Sequence, residues 1–182
     1  MNPQKWLLLV SVGILLLQAA CAPAAPSSAC PESTIDTELL TDTENGYCLL
    51  YPTKYSTEVP GYIVINPASA PGDTLGDAWA SIETEPAAGR SAAQAAEAQV
   101  SAAGQGFNIT RSEAKVGGEQ ATVVDGLPGP DPWRKVFVVH ADRLYTLTFL
   151  PWGSSPEAQP ALEALYAMVM DSLRFLPPGG GQ

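Results

Sequence analysis

Apolar residues recur along the chain with two periods, and the changes of period mark out the elements. Tyr47 to Tyr51 is a short apolar run that follows Asn45-Gly46 and is closed by Pro52, which predicts a strand between turns. Gly61 to Asn66 is rich in β-branched residues between Pro60 and Pro67 and predicts a second strand. Ala78 to Thr84 alternates: Trp79, Ser81 and Glu83 share one face, and Ala78, Ala80, Ile82 and Thr84 the other, as in a third strand. The period then changes. Over Ser91 to Ala103, with no Pro or Gly, Ala93, Ala96, Val100 and Ala103 recur at helical spacing. Ser91 suits an N-cap and Gly104 a stop. Such a thin face of small residues lets a helix lie close to a sheet.

Hairpins follow. Asn108–Val116 and Glu119–Asp125 flank Gly117-Gly118, and Lys135–His140 and Arg143–Leu150 flank Ala141-Asp142, both at two-residue turn spacing. Tyr145, Leu147 and Phe149 fall on one face of the last strand. Gly126 to Pro132 is expected to be a rigid loop, since five of its seven residues are Gly or Pro, which punctuate structure. Glu157 to Phe175 carries Leu162, Leu165, Tyr166, Val169 and Leu173 at spacings of three and four, the clearest helix in the chain. Strands, a helix, hairpins and a closing helix predict an α+β class: a central antiparallel β-sheet packed by helices.

Residues 1–20 do not belong to that pattern. Lys5 precedes Trp6 to Leu17, an uncharged run dominated by Leu and Val, and small residues lead to Cys21. These are the parts of a signal peptide. Twelve helical residues rise about 18 Å, short of a hydrocarbon core of about 30 Å. Ala19-Ala20-Cys21 resembles a bacterial lipobox, although Gln18 stands where Leu is usual. The resemblance implies cleavage before Cys21, lipid on that cysteine and a membrane partner on the extracytoplasmic face. An ordinary signal peptide cut within Ala22-Pro23-Ala24 or beyond is the alternative, and an uncleaved anchor a further one. The expected division is a signal peptide over 1–20, a lipidated, Pro/Ala/Ser-rich tether over 21–35, a domain over 36–176 and a disordered tail over 177–182.

Cysteine count bears on the same question. The chain has three: Cys21, Cys30 and Cys48. An odd number in an exported protein leaves one over. Lipid on Cys21 would leave Cys30 and Cys48 free to form a disulfide, with two free thiols as the alternative.

Composition narrows the partners. Nineteen acids against nine bases give a net charge of -10 with no basic cluster, which disfavours nucleic acid and electrostatic docking on anionic lipid.

Three stretches resemble the PsbP-like fold family, which includes photosystem-associated proteins, a Ran-binding factor and many bacterial lipoproteins. Gly46-Tyr-Cys-Leu-Leu-Tyr-Pro52 resembles its opening strand and Tyr-Pro turn. Arg143-Leu-Tyr-Thr-Leu-Thr-Phe149 resembles its penultimate strand, and Ala167 to Phe175, ending Ser172-Leu173-Arg174-Phe175, its closing helix. The resemblance spans Gly46 to Phe175 and implies a sheet between helices, an α/β/α sandwich. The family has no shared active site to transfer.

Candidate chemistry is sparse. His140 is the single histidine and no Gly-x-Ser-x-Gly elbow is present, so no catalytic residue is assigned. One His and two Cys are too few for a zinc site. Asp73 and Asp77 lack the alternation of an EF-hand loop, so no metal is assigned either. Gly104-Gln-Gly106 follows a helix and lacks the third glycine of a dinucleotide fingerprint, and no cofactor is expected. Asn108-Ile109-Thr110 is a glycosylation sequon that a bacterial host would ignore. The remaining constellation is Trp133, Arg134 and Trp152. If their loops meet at one end of the sheet, they form an interaction patch of hot-spot residue types; the alternative is that both tryptophans cap the core. The sequence therefore predicts a non-enzymatic accessory or interaction lipoprotein of unknown envelope partner. Its rival is a small-molecule carrier or enzyme with a pocket between sheet and helices.

Overall fold

The computed structural model describes residues 29–58, 63–67, 79–129, 132–153 and 156–177. The expected signal peptide, Cys21, most of the expected tether, Asp73, Asp77 and the expected tail beyond Pro177 lie outside them. Among the described residues the strands are β1 (Thr37–Asp42), β2 (Tyr47–Pro52), β3 (Tyr55–Glu58), β4 (Ile63–Pro67), β5 (Trp79–Pro86), β6 (Thr110–Val116), β7 (Glu119–Leu127), β8 (Trp133–His140), β9 (Arg143–Leu150) and β10 (Arg174–Phe175). The helices are α1 (Ala92–Ala103) and α2 (Gln159–Ser172). A seven-stranded antiparallel sheet runs β3-β4-β5-β9-β8-β7-β6, and a second sheet runs β1-β2-β10.

The large sheet is covered on both faces, as the α+β expectation requires. On one face α2 lies between the sheets. Leu162, Leu165, Val169 and Leu173 are fully buried against Tyr47 and Leu49 of β2, Val136 and Val138 of β8, and Leu147 and Phe149 of β9. On the other face α1 packs Ala92, Ala95 and Ala96 over Val124, Phe137 and Leu144. Ser91 caps α1 through a reciprocal pair of bonds with Gln94, and Gly104 ends it at φ 80°. The buried face differs from the one expected. Ala93 is exposed and Ala95 takes its place. In a helix this rich in alanine several faces are equally apolar, so the packing partner chooses among them.

Two glycines are required by close approach. Gly117, in the β6–β7 turn, sits at φ 58°, and a Cβ there would lie 2.7 Å from the Phe175 ring. Gly126, at φ 81°, forms a bulge between Asp125 and Leu127, where a Cβ would strike the Asn108 carbonyl. The bulge continues β7 to Leu127, into the segment expected to be loop. The same shift corrects Trp133 and Arg134: they open β8 and are strand residues.

The closing Ser-Leu-x-Phe has a structural reading. Arg174 pairs with Cys48 and Phe175 with Tyr47, so continuing the register puts Ser172 opposite Leu50. There β10 has given way to helix, and Ser172 Oγ takes the strand's role. It accepts from Leu50 N at 2.9 Å and donates to Met168 O at 2.6 Å. Leu176 N then donates to Gly46 O at 2.9 Å.

Cys30 and Cys48 form a disulfide with Cα atoms 5.8 Å apart. Cys48 is fully buried on β2, so the bond ties the segment before β1 to the strand at the centre of the small sheet. Closing a loop of this length stabilises by about 3 kcal/mol in the chain-entropy model.

Four tyrosines, Tyr47, Tyr51, Tyr145 and Tyr166, have phenols raised above the ordinary 10.0, in each case first by burial. For Tyr47 the Asp42 charge adds to it, and its buried hydroxyl has no partner in hydrogen-bond geometry. A raised folded-state pKa means that the folded protein holds these protons more tightly than the unfolded chain. Their stabilisation is complete below about pH 10 and is lost as pH rises through the folded-state values. The urea midpoint is therefore expected to stay level to about pH 9 and fall steeply above about pH 10, with a shallower fall in Tyr47→Phe. A midpoint unchanged through that range in the wild type contradicts the assignment.

Candidate functional site

Alternation along β8 divides the expected patch. Val136 and Val138 face α2, so Arg134 does too; Phe137 faces the α1 side, and Trp133 and Lys135 share that side. The loops before β8 and after β9 do meet at one end of the sheet, where Trp152 N donates to Pro132 O at 2.7 Å. On the α2 side Arg134 lies flat on Trp152, its guanidinium carbon 3.7 Å from the ring centroid and 4.9 Å from that of Tyr166. Its Nε and Nη2 donate to both oxygens of Asp125 at 2.8 and 2.7 Å. Stacked on one face and paired along its edge, Arg134 caps the core at this end with Trp152 and Tyr166. Trp133 does not join them.

At the opposite end His140 is held between Glu119, 2.8 Å from its Nδ1, and the Phe175 ring, stacked at 4.5 Å. It is a strand-end residue, bonded through Nδ1 and stacked on one aromatic ring. Nearby, a groove of about 410 Å³ is lined by Glu44, Thr84, Glu85, Asp142 and Arg143. Three carboxylates around one guanidinium, itself bonded to Glu44 O at 2.7 Å, repel anions. No group of three metal-ligating side chains occurs among the described residues.

The less expected arrangement lies on the α1 side, beyond the part of the sheet that α1 itself packs on, across β5, β9 and the start of β8. Register aligns three cross-strand rows. Ser81, Thr148 and Lys135 stand opposite one another on β5, β9 and β8. One row toward the sheet end come Trp79, Leu150 and, continuing the register, Trp133; one row the other way come Glu83, Thr146 and Phe137. Ser81, Thr148 and Thr146 are 2%, 6% and 9% exposed, positions that a sheet face normally fills with apolar side chains. Lys135 Nζ lies 4.8 Å from the Trp133 ring centroid. No carboxylate among the described residues pairs with it, whereas Arg90, Arg111 and Arg134 all have acidic partners. Burial pushes the Lys135 ammonium below its ordinary value, with the Glu83 charge opposing in part. Trp133 Nε1 is buried without a partner, and its indole lies so close to Gly129 that a Cβ there would sit 2.7 Å from the ring. Sequence alternation had already placed Trp79, Ser81 and Glu83 on one face. What it lacked was the pairing of β5 with β9, which brings Thr148 and Lys135 alongside.

A lysine whose ammonium is depressed by burial costs stability wherever it is charged. The folded state binds its proton less tightly than the unfolded chain, so the penalty is in force at neutral pH and is relieved only as pH rises toward 10.5. Lys135→Met is expected to raise Tm. Arg134→Lys, which keeps a charge but loses the stacked, two-pronged geometry, is expected to lower stability by about 1–2 kcal/mol in denaturant titration. Unchanged stability in Arg134→Lys contradicts a core-capping role.

No family model and no curated protein matches the chain. Among solved structures it is similar to cyanobacterial PsbP (CyanoP) from Synechocystis sp. PCC 6803, with a TM-score of 0.51 and 14% identity over 83% of this chain and 99% of that one. A Pseudomonas aeruginosa protein of unknown function matches with a TM-score of 0.49 and 17% identity over 78% of this chain and 98% of that one. At the first of these identities the likeness shows a PsbP-like fold and nothing further about activity.

Proposed function

We propose that this chain is an extracytoplasmic domain tethered to a membrane by lipid on Cys21, acting as a non-enzymatic accessory or interaction module for an envelope partner. The observation that carries the reading is the Cys30–Cys48 disulfide. A buried structural disulfide belongs to an oxidising compartment, and it uses two of the three cysteines. The third, Cys21, directly follows an apolar run and Ala19-Ala20, where a lipidated residue would stand. The acidic surface agrees with a tether through lipid, since a charge of -10 gives anionic headgroups nothing to attract. A carrier of a small ligand is the second reading, favoured by one observation, the half-buried Lys135 with no carboxylate pair among the described residues.

Cell fractionation tests the tether. The wild-type chain is expected in the membrane fraction and to leave it only with detergent. Cys21→Ser is expected to abolish that retention, unless the apolar run then stays as an uncleaved anchor, which the apparent mass reveals. Retention of Cys21→Ser with the leader removed contradicts the proposal.

A further inference from the structure

We infer that the turn over residues 34–37 and the outward face of β1 are the surface on which the domain rests against an uncharged lipid bilayer, with Ile35 and Leu39 entering the headgroup layer. The inference rests on the tether through Cys21 and names the face that the tether brings to the lipid.

Ile35 is 91% exposed and Leu39 41%, two of the three exposed large hydrophobic side chains among the described residues. Ile35 is held out by a bonded turn. Thr37 N donates to Thr34 O at 3.4 Å, Thr34 N to Thr37 Oγ1 at 2.9 Å and Asp36 N to Thr34 Oγ1 at 3.3 Å. Thr53 N donates to Asp36 O at 3.1 Å and ties the turn to the end of β2. An apolar side chain fixed in this way leaves water only against a second surface. Alternation sorts the rest of β1. Glu38 and Leu40 face the core side, where Glu38 accepts from the Tyr51 hydroxyl at 2.7 Å and Leu40 packs on the buried cluster. Thr37, Leu39 and Thr41 face outward, opposite Pro52, Leu50 and Cys48 of β2. The outward face of this strand pair therefore carries no carboxylate, in a chain of net charge -10.

The disulfide lies on the same side. Cys48 faces outward beside Thr41, so Cys30, and with it the end of the tether, is fixed to this face. Cys21 stands nine residues before Cys30, a reach of at most about 30 Å. Beneath this face lie α2, the large sheet and then α1, and a domain of this length measures roughly 35–40 Å across. A lipid on Cys21 cannot reach a bilayer that lies against α1; it brings the disulfide side to the membrane. Glu32 and Asp36, exposed on either side of Ile35, select the lipid. Uncharged headgroups admit the turn without repulsion, and anionic ones oppose it. The contact is apolar, so it needs none of the basic residues that the chain lacks.

Fluorescence quenching in phosphatidylcholine nanodiscs tests the surface. The full mature chain carries a nitrobenzoxadiazole label on Ile35→Cys or, as the reference, on Ser101→Cys, an exposed position of α1 on the far side. With Cys30 and Cys48 oxidised and Cys21 acylated, the new thiol alone takes the label. Nitroxide placed high on the lipid acyl chains is expected to quench position 35 severalfold more than position 101. A label on Leu39→Cys is expected to show the same preference and to lose it when Ile35→Asp is added, a change at a side chain too exposed to unfold the chain. Phosphatidylglycerol in place of phosphatidylcholine is expected to weaken the quenching at position 35. Equal quenching at positions 35 and 101, in a chain that stays with the nanodiscs, overturns the inference and leaves the tether standing. A label at position 35 that is shielded from water yet untouched by the lipid nitroxide shows that a second copy or another protein covers the turn, and overturns it as well. A chain absent from the nanodisc fraction overturns the tether and the surface together.

Discussion

The hydrogen bond from Leu50 N to Ser172 Oγ joins the two sheets through one helix end. Strand β2 needs a partner on the side where β10 runs for only two residues, and a buried backbone N–H left unpaired costs roughly 1–3 kcal/mol. Ser172 meets that need because α2 ends there, and α2 ends there with Leu173 fully buried and Phe175 returned onto β2. The same strand carries Cys48 on one face and Tyr47, Leu49 and Tyr51 on the other. One strand thus receives the disulfide, the helix and both neighbours of its sheet, and the large sheet is held from one side by what β2 holds.

The two faces of the large sheet are consequently unlike. The α2 face is filled by aromatic and branched side chains from both sheets, and Arg134 closes its open end with Asp125 and Trp152. The α1 face is served by a helix of small residues that covers β7 and part of β8. Beyond α1 the same face is polar, with Ser81, Thr148 and Thr146 buried and Lys135 half-buried, next to a row that holds two tryptophans. A sequence free to maximise stability would place β-branched apolar residues there, as it does on the opposite face. Local rules broken without a structural gain are where function is sought.

The long periodic segments were legible from the sequence: α2, both hairpins, β2 and the capping of α1. Their signals are local, held in spacing, Ser91 and the paired turn residues. Strands β1, β3 and β10 were not. β1 reads Thr-Glu-Leu-Leu-Thr-Asp, leaves Leu39 exposed and pairs only with β2, so it needs little apolar pattern. β10 is two residues long and exists by register alone. The meeting of Arg134 with Trp152 was anticipated because a hairpin returns the chain to the same end. Trp133 went astray because adjacent strand residues face opposite ways, and a loop was expected where the bulge at Gly126 lets strand continue. The Lys135 row depends on β5 pairing with β9, more than sixty residues away, which no local pattern encodes.

In the proposed reading export, oxidation and anchoring make one account: the disulfide takes up two cysteines, and the proposal gives the third, Cys21, to the membrane. Mass spectrometry of the mature chain, with proteolytic mapping of its N-terminal peptides without reduction, tests all three at once. The account predicts a chain beginning at an acylated Cys21, with peptides holding Cys30 and Cys48 joined. An unmodified N-terminus at any other residue, or Cys30 and Cys48 recovered as free thiols, contradicts it.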